Sequence, residues 1–210
     1  MKRLYSPILL LAAFAVSLGS CGGAARSAAD LEALAALNRQ GHSPADVHFM
    51  TNMVPHHAQA VLFAGWAESH QASSAIQIFC ARMVVAQRDE IVTMRSWLLE
   101  RDEPAPPAEY SRMRMPAGAD HQAMPGMLTE AQLDELDHAR GLDFDRLFLK
   151  YMIPHHEGAL SMVDELFGSY GGAQNDFIFK LASDMYADQT TEIEHMQLML
   201  ATYPSGRQGP

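Results

Sequence analysis

A five-residue motif, Met-x-Pro-His-His, occurs twice in the chain, at residues 53–57 and again at 152–156. An Asp, a Phe and an Ala around the motif repeat with it at the same spacing. A second pattern, Met-x3-Gln-x2-Glu-Ile-x2-Met, follows each copy, at 83–94 and 185–196. A repeat of this kind predicts one domain built from two similar halves, each of which buries equivalent faces.

Apolar residues in both halves recur at the three- and four-residue spacing of helices. The spacing predicts a helix pair at 43–69 and 72–99, and an equivalent pair at 143–167 and 175–203. The mature chain lacks the alternation that is typical of strands. Four long helices, two short turns and one long crossover predict an all-α four-helix bundle formed by internal duplication of a helix pair.

Pro55 and Pro154 lie inside the two predicted motif helices. A proline removes one backbone donor and crowds the carbonyl four residues earlier, so we expect a kink beside each histidine pair. The bundle is predicted at 43–203, with repeat one at 43–101, a linker at 102–141 and repeat two at 142–203.

The linker has two features of its own. Thr129-Glu-Ala-Gln132 is a capping box and predicts a short helix. The linker is also rich in methionine at 113–127. This segment is either a flexible arm that captures metal or a disordered linker whose methionines are incidental. The residues concerned are Met113, Met115, His121, Met124 and Met127.

The N-terminus predicts export. Residues 1–20 have the basic start, short apolar run and small-residue end of a signal peptide. Leu18-Gly-Ser-Cys21 resembles a bacterial lipobox, which would make Cys21 the lipidated first residue; the alternative is an ordinary signal with an incidental cysteine. Residues 21–42 are predicted as a tether with a short helix at 30–40, and 204–210 as a tail. We therefore expect a cell-envelope protein, lipid-anchored to the outer face of a bacterial membrane.

Charge and cysteine content restrict the partners. The chain has 15 basic and 25 acidic residues, which gives a net charge of -10. This charge disfavours nucleic acid and anionic lipid as partners. We therefore expect contact with the membrane through the lipid anchor only. With Cys21 lipidated, Cys80 has no cysteine to pair with. Cys80 is predicted as a small buried apolar residue, with a soft metal ligand as the alternative.

Methionine, histidine and carboxylate side chains share faces of the predicted helices. Residues three and four apart lie side by side on a helix, so Met53 neighbours His56 and His57. Imidazole suits several transition metals, whereas thioether is a soft donor that favours Cu(I) and its analogue Ag(I). The candidate ligands are Met53, His56, His57, Met94, Met152, His155, His156, Met162, His195 and Met196.

Packing is the alternative role for each of these side chains, because a methionine stripe commonly fills a helical core. Neighbouring helical residues point about 100° apart, so both members of a histidine pair need not face one metal. We expect His57 and His156 to be ligands, and the preceding histidines to be second ligands or to support them. Met162, His195 and Met199 follow the second motif, which predicts that the second copy is the better-furnished site.

Two enzyme motifs can be tested on the sequence. His156-Glu-Gly-Ala-Leu160 begins like a zinc-protease helix but has Leu160 in place of the second histidine. Glu192-Ile-Glu-His195 matches the Glu-x-x-His of di-iron bundles, although the first half has Thr93 at the equivalent position. No catalytic residue is therefore assigned. Two alternatives stay open: a ferritin-like iron or manganese oxidoreductase using Glu192, His195 and the paired histidines, and a metal-free envelope interaction module.

The combined pattern resembles the bacterial family called domain of unknown function 305. Asp-x-x-Phe-x3-Met-x-Pro-His-His stands at 46–57 and 145–156, Gly126-Met-Leu-Thr precedes the second copy, and Glu-Ile-x-x-Met follows each. The resemblance covers 43–203. It implies a ferritin-like fold, and similarity to a periplasmic copper-binding protein of the metallochaperone type.

The resemblance also implies an envelope protein that uses histidine and methionine to bind Cu(I) or Ag(I). The matching motif residues are Met53, His56, His57, Met94, Met152, His155, His156 and Met196. We expect the protein to buffer or deliver copper and so to contribute to copper tolerance, with the metal ion and another envelope copper-handling protein as its partners.

Overall fold

The computed structural model describes residues 41–111 and 124–203, which form five helices and no strand. The helices are α1 (Pro44–Ala64), α2 (Ser74–Leu99), α3 (Glu130–His138), α4 (Leu142–Gly168) and α5 (Asp176–Ala201). The all-α prediction is confirmed. The predicted signal peptide, Cys21, the helix at 30–40, three linker residues and the tail lie outside the described residues. Those linker residues are Met113, Met115 and His121.

Capping boxes begin two of the helices. The Ser43 hydroxyl accepts from the Asp46 backbone N–H at 3.2 Å, and the Asp46 carboxylate accepts from the Ser43 N–H at 2.8 Å. Thr129 and Gln132 form the predicted box at the start of α3. Each box satisfies backbone donors that a helix start leaves without partners.

Helix α1 is shorter than predicted, because it ends at Ala64 rather than near residue 69. Beyond Gly65 the backbone tightens, and the N–H groups of Trp66 and Ala67 bond to carbonyls three residues back. Gln71 then adopts a left-handed conformation with φ of 58°. Sequence periodicity continues through this turn, so it overestimated the helix.

The helices pack as two pairs, α1 with α2 and α4 with α5, and α1 also packs against α4. The short helix α3 contacts both α1 and α4. The two motif helices therefore lie side by side in the middle of the molecule. Both helices continue through their prolines, and the kink expected at each proline stays a prediction.

Two buried aspartates connect the halves. The Asp46 carboxylate accepts from the Ala173 backbone N–H, in the turn between α4 and α5, at 2.7 Å. Asp145 accepts from the Ser73 N–H, in the turn between α1 and α2, at 3.1 Å, and from the Tyr203 hydroxyl at 2.8 Å. Charge-assisted hydrogen bonds of this kind are strong when buried, so the repeated aspartate of the motif holds one half against the other.

No helix within the described ranges is both long enough and apolar enough to span a membrane.

Candidate metal centre

Four buried histidines meet where α1 packs on α4. The rings of His56 and His155 have centroids 3.9 Å apart, and each lies 6.3 Å from the ring of the histidine that follows it. None of the four is more than 1% exposed. The sequence placed two histidine pairs on separate helices, and the packing joins them into one cluster.

The outer histidines, His57 and His156, each pair with a carboxylate on the neighbouring helix. His57 Nε2 lies 2.8 Å from Glu90 Oε2, and His156 Nε2 lies 2.8 Å from Glu192 Oε2. A carboxylate can only accept, so in each pair Nε2 carries the proton and donates. The other nitrogen, Nδ1, is buried in both residues without a partner in the described chain.

The inner histidines bond to backbone instead. His56 Nε2 donates to the Pro125 carbonyl at 3.0 Å, which again leaves Nδ1 as the acceptor nitrogen. His155 hydrogen-bonds the backbone of His56, and its Nε2 is buried. Among the described residues nothing donates to His56 Nδ1 or to His155 Nε2.

Burial keeps the inner rings neutral. It lowers the pKa of His56 from 6.5 to about 3, with neighbouring His57 as the next cause. Burial likewise lowers the pKa of His155 well below 6.5, with His56 next. A neutral imidazole presents a lone pair to a metal, whereas a protonated one cannot.

The ring nitrogens fit a metal. An unsatisfied buried acceptor costs about 1–3 kcal/mol, so four in one place require an explanation. Metal-binding histidines typically donate their second nitrogen to a carboxylate or a backbone carbonyl, the arrangement found at His56, His57 and His156. Among the described residues, no three His, Cys, Asp or Glu side chains form a group that could hold a metal ion.

Methionine is the other predicted donor type, and the buried methionines among the described residues lie in two hydrophobic clusters. We call the first the Met53 cluster and the second the Met152 cluster. Both take thioethers from both halves of the chain, and they include Met94 and Met196 as the sequence predicts. The Met53 cluster contains Met50, Met53, Met94, Met124, Met162 and Met185, and the Met152 cluster contains Met83, Met152 and Met196.

Met162 and His195 differ from their predicted places. Met162 lies in the Met53 cluster, because ten residues of helix carry it about 15 Å along α4 from Met152. His195 is exposed and packs edge-on to Phe79 at 5.5 Å. Met199 is only partly buried at the edge of the Met152 cluster. The Met53 cluster therefore holds the larger set of buried methionines. Which of the two motifs is the better-furnished metal site stays a prediction.

A short segment at 124–128, which we call the strap, was missed as part of the site. Met124 is 1% exposed within the Met53 cluster, and Pro125 accepts from His56. Gln59 holds the other end, since its side-chain amide bonds both the carbonyl and the N–H of Leu128, at 3.0 and 2.8 Å. Met124 is thus a buried side chain rather than part of a free capture arm.

Two glycines allow the backbone of the strap to lie close to the backbone of α4. Gly126 has φ of 81°, and a Cβ there would stand 2.2 Å from the Pro154 carbonyl oxygen. A Cβ on Gly158 would stand 1.8 Å from the Pro125 carbonyl oxygen. The sequence signal was Gly126-Met-Leu-Thr129, whose glycine indicates close backbone approach.

Cys80 is buried in the Met152 cluster. Burial raises the pKa of its thiol well above the ordinary value, and nearby Asp145 raises it further. A neutral thiol behaves as a small apolar group, so the structure fits the packing role predicted for Cys80.

Comparisons with known proteins identify one matching family and several similar solved structures. The model of the DUF305 family, a domain of unknown function, matches residues 46–200. Among solved structures, a DUF305 protein from Streptomyces coelicolor, described as a candidate secreted protein, gives a TM-score of 0.63 at 25% identity, over 75% of this chain and 92% of that one. A DUF305 fragment from Deinococcus radiodurans gives 0.64 at 25% identity, over 77% and 98%.

CopM in its Cu(I)-bound form is also similar, with a TM-score of 0.58 and 25% identity over 76% of this chain and 98% of that one. Its Cu(II)-bound and Ag-bound forms match at 27% and 26% identity. No curated protein matches this chain.

Proposed function

Because the chain belongs to the DUF305 family, whose model spans residues 46–200, we propose that it is a copper-binding protein that holds Cu(I), or Ag(I) in its place. The ligands would be buried histidine nitrogens and methionine sulfurs. The observation that carries the proposal is the group of four buried ring nitrogens without a partner in the described chain, on His56, His57, His155 and His156.

The donor set explains the choice of metal. Thioether sulfur is a soft, neutral donor that favours Cu(I) and Ag(I) over hard cations. Both methionine clusters are buried and draw on both halves. Met53 and Met152 lie one helical turn before the motif histidines, so methionine is the proposed second source of ligands. Similarity to CopM, which has Cu(I)-bound and Ag-bound forms, supports the same metals.

The fold is consistent with a duplicated, ferritin-like bundle. Contacts at equivalent positions of the sequence repeat recur: His57 with Glu90 and His156 with Glu192, both at 2.8 Å. Asp46 and Asp145 likewise bind the turn of the opposite half. We infer that one helix pair was duplicated, and that the metal centre lies between the two copies.

The biological role would be copper buffering or delivery in the cell envelope, and hence copper tolerance. The predicted signal peptide would carry the protein out of the cytoplasm, and lipidated Cys21 would anchor it to the membrane. Similarity to a relative described as a candidate secreted protein supports export alone. Delivery requires another envelope copper-handling protein as donor or acceptor.

The two alternatives have less support. An iron or manganese oxidoreductase would need His195 at the histidine cluster, whereas its side chain is exposed and packs edge-on to Phe79. It would also need Glu192, which bonds His156. A metal-free interaction module leaves the cost of four unsatisfied nitrogens unexplained. Binding without turnover is therefore the function that we propose.

Anaerobic loading of the mature domain with Cu(I), Fe(II) or Zn(II), followed by metal analysis, tests the proposal. We expect retention of Cu(I) by the parent and loss in a His57→Ala, His156→Ala variant. The matched control is His48→Ala, His138→Ala, which removes two exposed histidines. Equal Cu(I) retention in all three proteins would refute the assigned ligands, and turnover with Fe(II) would favour the oxidoreductase.

A further inference from the structure

Helix α2 carries a row of exposed apolar side chains on its outer side, which we call the α2 row. Its four members recur every seven residues and are Ile78, Val85, Val92 and Leu99. Their exposed fractions are 63%, 62%, 62% and 60%, in that order. At about 1.5 Å of rise per residue, the row extends for about 32 Å along the helix. Single exposed apolar residues are ordinary, whereas an extended row on one face indicates an interaction surface.

The internal repeat supplies a comparison for the α2 row. Met83 of α2 corresponds to Met185 of α5, which is an offset of 102 residues. At the positions equivalent to the row, α5 has exposed residues that are either charged or small. These residues are Lys180, Ala187, Glu194 and Ala201. A polar outer face is usual for a helix at the surface of a bundle. Since α5 packs in the bundle without large apolar residues at these positions, the bundle itself does not require those on α2.

The seven-residue spacing indicates that the partner of the α2 row is another helix. Apolar residues that recur in heptads form a seam that faces a second helix. Ile and Val at one position of the heptad are typical of two helices that run parallel. Three of the four residues in the row are Ile or Val. The row therefore fits one helix of similar length that lies parallel to α2.

Two charged residues beside the row indicate that this helix is the α2 of a second copy. Arg88 and Asp89 are exposed, and they lie about 60° to one side and about 40° to the other side of Val85. Their side chains form no ion pair within the part of the chain that the structure describes. When two copies of α2 lie parallel about a twofold axis, each side of the row faces the opposite side of the partner's row. Arg88 of each copy then meets the partner's Asp89.

The same charges disfavour an antiparallel pair. An antiparallel twofold arrangement brings Arg88 against the partner's Arg88, and Asp89 against the partner's Asp89. Like charges that face each other across an interface are unfavourable, so the charges select the parallel arrangement. Exposed ion pairs add little affinity. The apolar row would therefore supply the association, and the charges would set its direction.

We propose that the α2 row is the interface of a homodimer, in which α2 packs in parallel against the α2 of a second copy. The apolar row forms the seam, and Arg88 and Asp89 form two equivalent ion pairs across it. Met83 and Met94 lie on the inner side of α2, where they are buried within their own chain. The dimer therefore does not depend on the copper centre.

Sedimentation velocity of the full mature chain without metal, over a dilution series, tests the interface. We expect a dimer that dissociates on dilution. Val85→Glu, Leu99→Glu should raise the dissociation constant by more than about tenfold, because carboxylates then face each other across the seam. Both side chains are exposed, so the melting temperature should change little.

Ala187→Glu, Ala201→Glu is the matched control, because it places the same residue at the equivalent exposed positions of α5. The control variant should dimerise like the parent. A parent that sediments as a monomer throughout the series would overturn the proposal and leave a different protein as the partner of α2. A dimer that persists unchanged in the α2 variant would overturn it as well.

A charge exchange tests the direction of the two helices. Arg88→Asp alone should weaken the dimer, because carboxylates then meet across the seam. Arg88→Asp, Asp89→Arg should restore it, because each ion pair is rebuilt with its charges reversed. Failure of the double exchange to restore the dimer would overturn the parallel arrangement.

Discussion

The imidazole rings of His56 and His155 lie with their centroids 3.9 Å apart, although 98 residues separate them in the chain. Both are buried, and the pKa of each is lowered by burial, so both rings stay neutral at physiological pH. The two copies of the motif thus contribute their histidines to one buried cluster.

Methionine sulfur should matter for copper affinity and little for stability. Met94→Leu, Met196→Leu keeps the buried volume nearly constant, and such swaps usually cost less than about 1.5 kcal/mol each. We expect a clear loss of Cu(I) affinity in competition with a chromogenic chelator, together with a nearly unchanged urea midpoint. Met127→Leu, in the partly exposed part of the strap, is the control. Unchanged Cu(I) affinity in the double variant would show that these methionines only pack.

The carboxylates of Glu90 and Glu192 should strengthen Cu(I) binding by His57 and His156. Glu90→Gln, Glu192→Gln keeps an acceptor for His57 and His156 but removes the charge that favours Nδ1 as a donor to metal. We expect Cu(I) affinity to fall by about 10- to 100-fold, the usual effect of losing such a partner. Glu194→Gln, at an exposed position of α5, is the control. Unchanged Cu(I) affinity would contradict a role for these carboxylates in metal binding by His57 and His156.

Acid should destabilise the metal-free protein. The folded-state pKa of His56 is about 3, against 6.5 when unfolded, so the unfolded state binds more protons between these values. Stability is full above pH 6.5 and is lost as the pH falls toward 3. From pH 7 to 5 we expect a loss of roughly 2 kcal/mol for each histidine shifted in this way, measured by urea unfolding. A His48→Gln, His138→Gln variant should show the same slope, and a flat profile in the parent would contradict the neutral cluster.

The strap should depend on its glycine. Gly126→Ala forces a Cβ against the Pro154 carbonyl at a φ of 81°, so we expect a loss of at least about 1–3 kcal/mol in unfolding free energy. Gly168→Ala is the matched control, because its Cβ would meet nothing within 4 Å. Parent-like stability of Gly126→Ala would mean that the strap does not pack against the second motif.

The sequence predicted the local features of this molecule well. Helical spacing predicted four of the five helices, a capping box predicted α3, and the repeated His-His pairs form the buried histidine cluster. These signals lie within about one helical turn, where neighbours in sequence are neighbours in space. The family resemblance is confirmed by the match over residues 46–200.

The remaining features depend on contacts between distant segments. Met162 joins the Met53 cluster because of the register between α1 and α4, and helical spacing within one chain segment does not determine that register. The exposure of His195 depends on the rotation of α5 in the same way. Pro125 acts through its backbone carbonyl, which has no side-chain signature, so only Gly126 indicated the close approach of the strap.

X-ray absorption at the copper edge of the mature protein, loaded anaerobically with Cu(I), is the most direct test of the proposed centre. Both imidazole nitrogen and thioether sulfur should appear in the first coordination shell. The nitrogen contribution should decrease in His57→Ala, His156→Ala, and the sulfur contribution in Met94→Leu, Met196→Leu. A shell of oxygen alone, or a spectrum that neither variant changes, would contradict a Cu(I) site made of these histidines and methionines.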